Sequence, residues 1–107
     1  MKMQNQLYRA KAKILKAMAH PLRLAVIDFL RDGPRCVCDI TKAVGAQRSN
    51  ISRHLALMES AGIVESEKKG LMVFYCLKTP CITNFFSCVE GVLRSNLRQS
   101  NQLLSKL

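Results

Sequence analysis

Two cysteines one residue apart, Cys36 and Cys38, follow directly on Gly33-Pro34-Arg35. Soft thiolates favour As(III), Sb(III), Cd, Pb, Zn or Cu(I) over hard ions. Side chains two positions apart on an ideal helix point about 200° away from each other. One ion can take both sulfurs only where the chain is not regularly helical, and a helix start preceded by Gly-Pro gives that freedom. The competing reading is two small hydrophobes at a helix start, since Cys is often buried without a role. Three more cysteines stand at 76, 81 and 88. Cys76 alternates with inward-facing strand residues, so it is either core packing or a candidate third thiolate. Cys81 opens the last predicted helix, where the helix dipole favours an anionic ligand. Cys88 would lie roughly 10 Å further along an intact helix, too far to share an ion with Cys81. Cys81 and Cys88 are therefore candidate ligands of separate sites, or residues lining a dimer seam. An odd count of five cysteines argues against a disulfide framework. No Cys-x-x-Cys follows a strand–helix unit, and no nucleophile–His–carboxylate set is apparent, so no enzyme is expected.

A second set of residues suits a polyanion. Gln47, Arg48, Ser49, Asn50, Ser52, Arg53 and His54 crowd the start of one predicted helix, whose apolar residues Ile51, Leu55 and Met58 repeat at helical spacing. Arg can bond guanine bidentately, Asn can bond adenine, and Ser reaches bases or phosphates. A helix whose first turns enter a major groove needs this arrangement. Lys68 and Lys69 fall at a hairpin tip, where they can grip phosphate. A polar helix face alone is usually just solvated, but here 17 Lys and Arg against 7 Asp and Glu give a net charge of +10. So basic a domain implies double-stranded DNA as partner. The absence of Trp and an aromatic content of 6% disfavour a surface that stacks single-stranded bases.

These residues need a scaffold, and 107 residues suit a single domain spanning 1–107. The patterns predict a mainly α chain with a β-hairpin wing, a winged helix-turn-helix in the order α-α-α-α-β-β-α. Leu7, Ala10, Ile14, Leu15 and Met18 mark the first helix, which His20-Pro21 breaks. The second helix stops at Asp32-Gly33-Pro34. A short third helix runs from about Cys38 to Val44, closed by Gly45, and a fourth from about Gln47 to Ser60. Val64 to Lys68 and Leu71 to Leu77 read as strands around Lys69-Gly70. Thr79-Pro80 opens the last helix, with Ile82, Phe85, Val89, Val92, Leu93 and Leu97 on its apolar stripe. A chain this small cannot cover the stripes of the first and last helices, so these are expected to form a homodimer interface. No apolar run is long enough to span a membrane, and no cleavable leader is evident, so the expected location is cytoplasmic.

Sequence motifs now add a family. Ser52-Arg53-His54-Leu55, continuing through Ala61-Gly62-Ile63-Val64 and Lys69-Gly70 to Phe74-Tyr75-Cys76-Leu77, resembles the ArsR/SmtB family of metal-responsive repressors. Ala19-His20-Pro21-Leu22-Arg23 is similar to that family's second-helix opening, and Cys36-Val37-Cys38-Asp39-Ile40 to its arsenic- and cadmium-sensing motif. The resemblance implies a winged-helix dimer that occupies an operator and releases it when metal binds. The chain departs from the pattern in places. Gln47 stands where a serine usually caps the recognition helix, and Gln caps less well. Thr41 stands where arsenic sensors often have a further cysteine, and cadmium-type cysteines near the N-terminus are missing. The last helix offers Glu90 but no His, so the family's zinc site there is not expected. His20 and His54 read as structural or DNA-facing. With two firm thiolates and one more to find, As(III) or Sb(III) is the expected inducer, with no permanently bound cofactor. The alternative is the same fold with cysteines that sense persulfides or oxidants.

Overall fold

The computed structural model describes the backbone of residues 2–107 and side chains from residue 4 onward. The first helix, α1, spans Lys2–Met18. α2 spans Pro21–Phe29, with Pro21 in its first turn and His20 as its N-cap. Proline suits that turn because the N–H it lacks has no helical partner there. A 3-10 turn over Leu30–Asp32 follows. Next come a two-residue strand β1 at Arg35–Cys36 and helix α3 at Val37–Val44. α4 spans Arg48–Ser60, and the strands β2 and β3 span Val64–Lys69 and Met72–Leu77. A second 3-10 turn, Pro80–Thr83, leads into α5 at Asn84–Ser105.

The predicted order of helices and hairpin holds, with one strand added. β1 pairs antiparallel with β3, so the sheet has three strands in the order β1-β3-β2. Arg35 lies opposite Tyr75 and Cys36 opposite Phe74. Two residues are too short for any alternation to be read from sequence. Their strand character comes from the free edge of β3. The hairpin runs in register from Val64 opposite Leu77 to Lys69 opposite Met72. Gly70 turns it at φ 63°, the positive angle that a two-residue hairpin of II′ type requires at its first position.

The core lies where α2, α3, α4 and the hairpin base converge. Val26, Ile27, Ile40, Ile51, Leu55 and Met58 are fully buried there, with Leu30 and Val64 nearly so. α1 contributes only its end, Ala17 and Met18, and α5 no buried residue at all. Ile82 and Phe86 lean on the core, while Val92, Leu93 and Leu97 stay more than half exposed. The radius of gyration is 17.2 Å, against about 13 Å for a compact domain of 100 residues. The excess reflects long helices packed along only part of their length.

Candidate nucleic-acid interface and cysteine pair

α3 and α4 are joined by Gly45, Ala46 and Gln47. Gly45 adopts a left-handed conformation, φ 71° and ψ 32°, and its N–H donates to Thr41 O at 3.0 Å. Only glycine enters that region without steric cost, so α3 ends there and the chain reverses into α4. The full burial of Ile51, Leu55 and Met58 fixes the rotation of α4. Gln47, Arg48, Ser49, Asn50, Ser52 and Arg53 are consequently exposed together. Arg53 donates to Asn50 Oδ1 at 3.1 Å, which aligns the two side chains one turn apart. Gln47 is the N-cap of α4 but makes no side-chain cap. The N–H of Asn50 donates to Gln47 O at 3.0 Å, while those of Arg48 and Ser49 point out of the helix start, where an anion can be received.

Two predicted contacts are placed differently. His54 is half-buried and turned inward, where its Nδ1 accepts from Arg23 Nε at 3.0 Å. Its position three residues after Ile51 puts it at the border of the buried stripe. Lys68 and Lys69 are both exposed at the wing, but adjacent strand residues face opposite sides. Lys68 lies opposite Val73, while Lys69 lies opposite Met72 with its ammonium 5.5 Å from the Phe74 ring. They present charge on two faces of the wing rather than as a pair. Glu65 and Glu67 share the face of Lys69, an acidic element the sequence reading passed over although strand alternation would have found it.

Cys36 is buried at the junction of β1 and α3, and its Sγ accepts from Asp39 N at 3.3 Å. It caps α3, with φ −74° and ψ 155°. Cys38 is exposed in the first turn of α3, and Arg48 of α4 donates to its sulfur at 3.9 Å. The expected departure from regular helix between the two is present. No cluster of three His, Cys, Asp or Glu occurs among the described residues. The pair thus offers two sulfurs, with no third donor grouped with them among the described residues.

The other cysteines lie apart from the pair. Cys76 donates to Glu65 Oε1 at 3.7 Å. Burial, followed by Glu65 and Glu67, pushes its pKa above the ordinary thiol value. Cys81 is exposed in the 3-10 turn and Cys88 exposed on α5. The two do not share a helix, because Pro80 starts a tighter turn before α5 begins at Asn84. That corrects the expected single helix from Thr79-Pro80.

A tight helix pair that turns the polar end of its second helix outward, beside a hairpin, is the architecture of winged helix-turn-helix regulators, which bind DNA. Comparison with known proteins agrees: residues 20–66 match the model of the arsR family of bacterial regulatory proteins. An HTH-type transcriptional regulator of Methanocaldococcus jannaschii is 38% identical over 84 residues, covering 78% of this chain and 94% of that one. The HTH-type transcriptional repressor SmtB of Mycobacterium tuberculosis is 35% identical over 68 residues, 64% of this chain and 50% of that one. A solution structure of a homodimeric winged helix-turn-helix DNA-binding domain from Mycobacterium bovis superposes with a TM-score of 0.77 at 27% identity, covering 92% of each chain. The chain belongs to the arsR family. It is a DNA-binding transcription regulator and not an enzyme. Among the described residues no helix is long and apolar enough to cross a membrane.

The cysteine environments predict an order of reactivity. Cys38, Cys81 and Cys88 should alkylate first under native conditions, with buried Cys36 and Cys76, whose pKa is raised, last. The raised pKa of Cys76 means that its thiolate forms only at higher pH, so its rate should climb later on the pH axis than that of an unperturbed thiol. Mass spectrometry of iodoacetamide-treated protein checks this; a Cys76 that reacts as fast as Cys38 at neutral pH contradicts the Glu65 contact.

Proposed function

We propose that the protein is a homodimeric repressor that holds a pseudo-palindromic operator through α4 and the wing and releases it when a thiophilic ligand takes Cys36 and Cys38. One observation carries the reading: both cysteines touch the helix-turn-helix itself. The sulfur of Cys36 caps α3, and that of Cys38 receives Arg48 from the outer face of α4. A ligand that claims the two sulfurs removes the cap and the Arg48 contact together. Coupling of this kind is reciprocal, so DNA must weaken the ligand by the factor by which the ligand weakens DNA. Operator binding also sets the location, the cytoplasm.

Arsenite is the inducer we assign, because As(III) is content with three thiolates whereas cadmium and lead are better served by four sulfurs. Two sulfurs come from the pair. The third donor lies outside the chain's own pair, and we assign it to one exposed cysteine of a second copy, either Cys81 or Cys88. A second reading is favoured by the lack of a three-donor cluster and by the exposure of Cys38, Cys81 and Cys88: the same thiols respond to persulfides or oxidants.

Dimerisation is supported by the uncovered apolar faces and by the homodimeric neighbour from M. bovis. A groove of about 440 Å³ opens between α1, α2 and α5, walled by Leu15, Leu24, Phe85 and Val89. Apolar surface this extensive is uncommon on a monomer. Sedimentation at micromolar concentration should give a dimer without DNA, and a stable monomer sinks this part of the reading.

Arg53→Ala should weaken binding to a selected operator by about 1–3 kcal/mol, the worth of a bidentate base contact. Affinity should also fall steeply with salt, since two wings and two recognition helices meet phosphates at once. If Arg53→Ala and Asn50→Ala both bind as the wild type does, the recognition face is elsewhere.

Cys36→Ser, Cys38→Ser protein should still bind DNA, because serine caps a helix at least as well as cysteine. It should no longer release on arsenite. Titrating wild-type protein with arsenite, and separately with polysulfide, while thiols are counted, separates the two readings. Release by polysulfide alone favours the redox sensor, and a double mutant that still responds to arsenite puts the sensing site elsewhere.

A further inference from the structure

The start of α2 and the middle of α4 meet in a cluster of basic side chains. Arg23 donates through Nε to His54 Nδ1 at 3.0 Å and through Nη1 to Ala17 O at 3.2 Å. One guanidinium therefore ties the end of α1 to the recognition helix. His20 packs against His54, ring centroids 4.5 Å apart and planes tilted by 42°. Its own Nδ1 accepts from Leu22 N at 3.1 Å and caps α2. Both imidazoles thus use Nδ1 as an acceptor, which places the single proton of each neutral ring on Nε2. An imidazolium has two donors and no acceptor. Protonating His54 turns its bond to Arg23 into two donors facing each other, cation against cation.

The two halves of this cluster come from separate stretches of sequence, His20-Pro21-Leu22-Arg23 and Ser52-Arg53-His54. They meet because α2 and α4 pack on the same core residues. The position matters for recognition. His54 follows Arg53, whose guanidinium bonds Asn50 on the outer face. The rotation of α4 at this point sets where both outer side chains are aimed.

We propose that Arg23 and His54 are positioning residues for operator recognition: the Arg23–His54 latch, made only while His54 is neutral, holds α4 in register with the rest of the domain, and acid opens it. The inference rests on the reading of α4 as the DNA-reading helix. The charged and titratable groups facing His54 are His20 from the α1–α2 junction, Arg23 from α2 and Arg53 from α4 itself, all basic. Burial first, then these three, lower its pKa from the ordinary 6.5. A depressed histidine pKa leaves the folded, latched form favoured above about pH 6.5, and that advantage is lost as pH falls through the lowered value.

This dependence runs against the general electrostatics. Added positive charge strengthens sequence-independent attraction to phosphate. As pH falls, operator affinity should drop while affinity for a random duplex holds or rises. A merely structural histidine moves both together through loss of fold.

The test uses the full chain with a duplex that the protein itself selects from a random library at about pH 8, beside a random-sequence duplex of equal length. Between about pH 8 and pH 5, the ratio of the two affinities should fall roughly tenfold, the weight of one hydrogen bond to a charged group. His54→Asn keeps an acceptor at the place of Nδ1 and does not titrate. It should preserve operator preference at high pH and abolish the pH dependence. A wild-type ratio that stays constant, or a pH dependence that survives in His54→Asn, overturns the latch. A protein without operator preference at any pH fails the DNA reading beneath it instead. NMR of the wild-type ring decides the matter without any variant: His54 should appear as the Nε2–H tautomer titrating below 6.5, and an Nδ1–H tautomer overturns the proposal.

Discussion

The burial of one side of α4 is the constraint on which the rest depends. Ile51, Leu55 and Met58 have no exposed surface, and they sit against residues of α2, α3 and the hairpin base. Three buried side chains over two turns leave a helix one permitted rotation. Every outward residue of the DNA face follows from that choice, as does the inward turn of His54. Gly45 then sets the angle at which α3 arrives. The recognition surface is therefore a by-product of core packing.

Much of this was legible in the sequence because it is local. The helical repeat in α4, the glycine after α3, the proline opening α2 and the turn at Gly70 each act within a few residues of their own position. Features that arise from chains meeting were not legible. β1 exists because Arg35 and Cys36 find the edge of β3, forty residues away. His54 sits at the boundary between stripe and face, and only the arrival of Arg23 settles which it joins. Period-two alternation separates Lys68 from Lys69, a point within reach of the sequence but hidden by reading the hairpin tip as one basic spot. A proline after Thr79 suits a helix start and a 3-10 turn equally well, so sequence alone does not separate Cys81 in the turn from Cys88 on α5.

The five cysteines fall into distinct physical situations. Cys36 has a backbone partner, Cys38 a guanidinium and Cys76 a carboxylate, while Cys81 and Cys88 are solvent-exposed. Composition alone makes them equivalent. Their neighbours give Cys36 and Cys38 direct access to the helix-turn-helix and raise the pKa of Cys76. The helix-turn-helix and the cysteine pair occupy one region because α3 begins where the pair lies.

The sulfur cap on α3 has an energetic consequence. A thiol is a weak acceptor, and the bond to Asp39 N spans 3.3 Å. Oxygen-bearing caps contribute on the order of 1 kcal/mol to a helix, so a sulfur in that place holds the first turn of α3 with little reserve. Protein segments open locally at free energies far below that of global unfolding, and helix ends with few bonds lie at the low end of that range. The first turn of α3, an eight-residue helix, has such a weakly bonded end, although Val37 and Ile40 bury their side chains in the core. Loss of the sulfur contact therefore loosens backbone bonding at the start of α3 while Val37 and Ile40 keep the helix seated on the core, so a signal at Cys36 acts on a single turn of backbone.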